Sequence, residues 1–158
     1  MKKVLFMWSV CLLFVACKST KTLTPEQLEK KEAIAERVES RDYSIMFNQL
    51  SPTRGRSVNL SPGYTLTVKN DSVSAYLPYF GVSRTPAFDG DGGVKFEEPY
   101  SNYLLQPTSK NDGTEVRMEV KTVRYQYTLF LVVYENGNCT LSVSSPQRDP
   151  ITYYGELE

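Results

Sequence analysis

From Asp42 to the C-terminus, apolar and polar residues alternate with a period of two, and turn-forming residues interrupt the alternation at short intervals. That pattern predicts short antiparallel strands with one buried and one wet face. The best-defined unit is Val123 to Glu135 followed by Asn138 to Ser145, with Asn136-Gly137 between them. Asn-Gly suits a two-residue type I′ turn, in which both central residues need φ > 0. Such a turn sets Tyr134 opposite Cys139, Val132 opposite Leu141 and Phe130 opposite Val143, and assigns all six to the core. Tyr125, Tyr127, Leu129, Leu131 and Val133 then share the second face with Thr140, Ser142 and Ser144. A strand apolar on both sides is covered on both; the helix, a second sheet or a bound ligand could supply the second cover.

A similar hairpin is predicted from Tyr64 to Val68 and Val73 to Leu77, turning at Asn70-Asp71, with Tyr64, Leu66, Val68, Val73, Ala75 and Leu77 on the core face. A third joins Asn102 to Thr108 with Glu115 to Thr122, where Val116, Met118 and Val120 alternate with Arg117, Glu119 and Lys121. Further strands are expected near Tyr43 to Leu50, Ser57 to Leu60, Gly93 to Glu97 and Ile151 to Leu157. The expected fold class is mainly β: an antiparallel β-sandwich or partly open barrel of roughly ten short strands with one N-terminal helix.

Ahead of the strands the period changes. Thr24-Pro25-Glu26-Gln27 reads as a capping box with proline in the first turn, and the residues that follow favour a helix as far as Arg41. Its apolar positions, Leu28, Ile34, Ala35 and Val38, form a narrow stripe, so the helix docks weakly or acts as a spacer. At the N-terminus, Lys2 and Lys3 precede an apolar run ending Leu13-Phe14-Val15-Ala16-Cys17, the order of a secretory leader, and too short for a membrane span of about 20 residues. The end of the run resembles a bacterial lipobox, which implies cleavage before Cys17 and lipidation of its thiol. Two or three acyl chains, at about 0.8 kcal/mol per buried methylene, hold a protein on a bilayer durably. The expected organisation is a leader at 1–16, a linker at 17–23, a helix at 24–41 and an antiparallel β domain at 42–158. Lys18, Ser19, Thr20 and Lys21 follow the cysteine in place of the acidic run of surface-exported lipoproteins, and no aspartate adjoins it to signal inner-membrane retention. The expected address is the periplasmic face of the outer membrane.

Composition narrows the chemistry. The 18 basic and 18 acidic residues cancel, and loss of Lys2 and Lys3 leaves the mature chain at −2, so no basic footprint for nucleic acid exists. There is no histidine, which removes imidazole bases, Ser-His and Cys-His pairs and most transition-metal sites. After loss of Cys11 and lipidation of Cys17, Cys139 has no partner for an intramolecular disulfide, and it is read as a small buried hydrophobe. No Ser-x-x-Lys spacing occurs. Glu97 and Glu98, adjacent on a strand, point to opposite faces and cannot flank one substrate atom. Asp89-Gly90-Asp91-Gly92-Gly93 begins like a calcium loop, but position five is Gly93 and the closing position is Tyr100, so Asp89 and Asp91 carry no assigned metal and no cofactor is expected.

The densest aromatic run is Tyr76-Leu77-Pro78-Tyr79-Phe80-Gly81. Its rings either pack the end of a strand or form a stacking platform, and with Tyr125 and Tyr127 the residues Tyr76, Tyr79 and Phe80 are the candidate ligand contacts. This run, together with Tyr64-Thr65-Leu66, Gly92-Gly93-Val94-Lys95-Phe96 and Ile151-Thr152-Tyr153-Tyr154-Gly155, resembles the pattern of a Bacteroidetes lipoprotein family classed as a domain of unknown function. The likeness runs from about the helix to the C-terminus; it implies a lipoprotein address and a single domain, and it brings no catalytic residue. The expected role is a non-catalytic binding or envelope-scaffold module, with an unknown envelope protein as the possible partner. The alternative is a carrier of a small apolar ligand in a Tyr-rich cavity, and an enzyme of unusual type comes third.

Overall fold

The computed structural model describes residues 24–84, 92–108 and 113–158. The leader, Cys17, the linker and the pair Asp89 and Asp91 lie outside the described residues. Helix α1 (Pro25–Glu39) starts as its sequence predicts: the Gln27 amide donates to the Thr24 hydroxyl at 3.4 Å, and the Thr24 amide donates to the Gln27 side chain at 3.0 Å. Its C-terminal half docks and its N-terminal half does not. Val38 is fully buried and Ile34 partly so, whereas Leu28 stays exposed.

Nine strands follow: β1 (Asp42–Pro52), β2 (Val58–Asn59), β3 (Thr65–Lys69), β4 (Ser72–Leu77), β5 (Val94–Pro107), β6 (Gly113–Lys121), β7 (Gln126–Tyr134), β8 (Asn138–Ser145) and β9 (Arg148–Leu157). From β3 to β9 each pairs with the next in antiparallel fashion, β1 pairs with β3, and β9 returns to pair with β1. The result is a closed barrel of eight strands, with the short β2 added beside the second half of β1. The expected partly open barrel is thus near the mark and the sandwich is not. Two sheets would leave four edges, whereas the β1–β9 seam removes them. The strand count falls below ten because Gly93 to Glu97 and Asn102 to Thr108 belong to one continuous strand, β5, bent at a bulge between Ser101 and Leu104 where Asn102 takes φ 54°.

Inward positions alternate as expected on most strands and fill the barrel. Ile45 and Phe47 of β1, Leu66 of β3, Met118 of β6, Leu141 of β8 and Tyr153 of β9 are all fully buried in one cluster. A bulge after Phe47 shifts the inward set of β1, so that Leu50 points in where strict alternation would predict Gln49. The hairpin at Asn70-Asp71 has the predicted register, with Val68 opposite Val73 and Asn70 in the left-handed region at φ 54°.

The β7–β8 hairpin differs. Val133 lies opposite Cys139, Leu131 opposite Leu141 and Leu129 opposite Val143. The loop holds three residues, Glu135 to Gly137: the Gly137 amide donates to the Tyr134 carbonyl at 2.9 Å, Gly137 has φ +91°, and the Asn138 amide donates to Asn136 Oδ1 at 2.9 Å. Only the glycine of the pair has positive φ, which is a turn closed by a glycine bulge and not a type I′ turn. The one-residue slip turns every β7 side chain over. Tyr127, Leu129, Leu131 and Val133 form the core face with Cys139, Leu141 and Val143, while Phe130 is 39% exposed and Val132 and Tyr134 sit half-buried on the outer wall. No second layer is needed over β7, because its outer residues are the barrel's outside.

Candidate functional site

The two ends of the barrel are closed in different ways. Helix α1 crosses the end where β7 meets β8: Lys31 pairs with Glu135, Ile34 lies against Gly137, and the Tyr103 hydroxyl donates to the Val38 carbonyl at 3.4 Å. Cys139 is buried there, and burial pushes its thiol up to about 12, which favours the neutral form.

At the other end, the segment after β4 folds over the mouth. The Tyr153 hydroxyl, inside the barrel, donates to the Pro78 carbonyl at 2.7 Å. The Tyr79 hydroxyl lies 3.1 Å from the Val82 carbonyl and 3.0 Å from that of Asp149. Backbone bonds from Arg84 to Gln147 and from Asp149 to Val82, with Arg84 Nη1 on the Pro146 carbonyl at 2.9 Å, fasten this segment along the start of β9. Arg148 sits beneath it, 5% exposed. Its Cζ is 4.1 Å from the Tyr125 ring centroid and 4.9 Å from that of Tyr79, and Nη1 donates to the carbonyls of Gly92 at 2.8 Å and Gly93 at 3.1 Å. Tyr125 in turn leans on Tyr127 at 5.6 Å between centroids, and Tyr127 stacks on Phe96 at 5.4 Å. A band of aromatic rings therefore crosses the mouth with one guanidinium set into it, an arrangement that favours a cation over π faces.

Of the five candidate ligand contacts, the fold brings Tyr79, Tyr125 and Tyr127 together and leaves Tyr76 and Phe80 apart. Tyr76 lies on the outer wall, stacked on Tyr64 at 5.9 Å with Lys95 Nζ 4.6 Å from its ring centroid, and Phe80 is half exposed on the covering segment. The alternation of β9 conceals Arg148. Ile151, Tyr153 and Gly155 point inward on odd positions, and Arg148 is out of step with them after the register shift between Val143 and Ser145. Among the described residues no group of three or more Asp, Glu or Cys is placed to hold a metal ion.

Burial pushes the Tyr127 hydroxyl up to about 12, with Arg148 pulling the other way, and burial raises Tyr43 and Tyr153 further. These acids favour their neutral form in the fold, so the stability tied to them is complete below their ordinary values and is lost as pH rises through the raised ones. The urea midpoint should hold steady up to about pH 9 and fall between about 10 and 12, in step with tyrosinate absorbance. A midpoint unchanged across that interval would mean that the rings ionise freely.

The profile of a family described as a domain of unknown function (DUF4251) matches residues 26–157. The chain belongs to that family. The match begins inside α1 and takes in the whole barrel, so the DUF4251 domain is helix and barrel together. A solved structure of a DUF4251 family protein from Bacteroides eggerthii DSM 20697 is similar in fold, with a TM-score of 0.65 and 14% identity over 83% of this chain and 90% of that one. No curated protein matches the chain. Among the described residues no helix is long and apolar enough to cross a membrane.

Proposed function

We propose that this DUF4251 domain is a periplasmic, outer-membrane-anchored lipoprotein, held by lipid on Cys17, whose barrel is a non-catalytic binding or envelope-scaffold module. The carrying observation is the filled interior. Of Tyr125, Tyr127, Leu129 and Leu131, the residues that would line an apolar cavity, the last three are packed among Phe47, Leu141 and Tyr153 in the barrel's core, and Tyr125 lies partly buried against it. A barrel filled by its own side chains offers its outer wall and its mouth to other molecules. The carrier alternative has less support, because those same residues would have to move apart to admit a ligand. The geometry also suits a tether: α1 follows directly on the linker and closes one end, so a lipid on Cys17 would leave the Arg148 mouth at the opposite end, free to face the periplasm.

The anchoring is tested by Cys17→Ser. The variant is expected to lose metabolic lipid labelling and to leave the membrane fraction, as soluble or unprocessed protein. Lipid labelling equal to that of the unaltered chain would overturn the anchor.

A further inference from the structure

Arg148 is buried and makes no ion pair among the described residues. It is 5% exposed, and its hydrogen bonds go from Nη1 to two backbone carbonyls. The ion pairs of the described residues join Lys31 to Glu135 and Arg84 to Asp149, so the carboxylate next in sequence is turned to another arginine. Nε is buried without a hydrogen-bond partner. Covalent geometry makes this significant: in a guanidinium, Nε–H and one N–H of Nη2 point the same way and form the side-on fork that a carboxylate or phosphate accepts through two oxygens. Nη1 is used to hold the side chain in place, while among the described residues no hydrogen-bond acceptor meets Nε or Nη2. A buried cation with an unsatisfied donor is costly unless an anion meets it.

We propose that the Nε and Nη2 edge of Arg148 is a binding site for a small oxyanion, the carboxylate or phosphate group of a ligand that enters at the barrel mouth. The inference rests on the binding-module reading and gives it a chemical class. The Tyr79 and Tyr125 rings pack against the guanidinium, with Cζ 4.9 and 4.1 Å from their centroids. The crevice beside it, lined by Tyr79, Val94, Tyr127, Ser144, Asp149 and Ile151, has no room for a water molecule; Asp149 is held by Arg84 at 3.7 Å, and entry of an anion requires the Tyr79 ring to shift outward. The walls set a limit on the ligand: a compact head group with little bulk beside the charged oxygens.

The test is a titration of the full chain, extracted from membranes in detergent, followed through the arginine Nε–H signals by NMR. The Arg148 signal is assigned from its proximity to the Tyr79 and Tyr125 rings, which requires no variant. Sodium acetate, inorganic phosphate and sodium chloride are added at matched ionic strength up to tens of millimolar. A saturable shift of the Arg148 signal with acetate or phosphate and none with chloride is expected, and the stronger of the two identifies the head group. Arg148→Lys, which keeps the charge and loses the fork, should weaken the binding by about tenfold or more, read as loss of the anion-dependent rise in melting temperature. An Arg148 signal that neither acetate nor phosphate moves, or that chloride moves equally, would overturn the site. That outcome leaves the lipid-anchored module standing, since lipid labelling at Cys17 tests it separately.

Discussion

Gly155→Ala should destabilise the chain by about 3 kcal/mol or more, at the upper end of what overpacking costs. Gly155 lies on β9 opposite Phe47 of β1, at the seam that closes the barrel. A Cβ at this position would overlap the Met46 carbonyl oxygen and stand 2.8 Å from both Met46 C and Phe47 Cα. All three are main-chain atoms, so no side-chain rotation relieves the clash. Next to the bulge after Phe47 the β1 main chain lies too close to Gly155 for any side chain, and glycine is the residue that permits the approach. Urea unfolding of the variant measures the loss. A change below about 1 kcal/mol would mean that β1 and β9 are not in the register described.

The second large effect separates the two faces of β7. Leu131→Ala should cost about 2–5 kcal/mol, because Leu131 is fully buried opposite Leu141 in the core. Phe130→Ala, one residue away, should cost about 1 kcal/mol or less, because Phe130 stands on the outer wall, 39% exposed, between Arg117 and Ser142. The type I′ reading of Asn136-Gly137 predicts the reverse order. Denaturation of the two variants side by side therefore decides the register, and a larger loss for Phe130→Ala would restore the type I′ hairpin.

What could be read from the residues depended on how local the determining contacts were. The start of α1 was legible because a capping box closes within four residues, and the β3–β4 hairpin because a two-residue turn at Asn70-Asp71 leaves one register. At Asn136-Gly137 the same reasoning misled. Asn-Gly serves a two-residue turn and a three-residue loop with a glycine bulge alike, and β7 is apolar on both faces, so neither turn nor pattern chose between them. Closure of the barrel lay further out of reach: it rests on β1 meeting β9 across the length of the domain, which no local pattern encodes. The site divides in the same way. Tyr79, Tyr125 and Tyr127 were singled out as aromatic residues, but their convergence comes from folding residues 78–84 over the mouth, and Arg148 sits in a polar stretch, Ser145 to Pro150, that reads as a turn.

A barrel filled by its own side chains has no room for an apolar guest, and native mass spectrometry of the protein extracted from its own membrane tests this. The predicted result is the mass of the lipid-modified chain, with or without a small anion and with no apolar molecule retained. A stoichiometric apolar ligand that survives detergent exchange would contradict it and make the barrel a carrier.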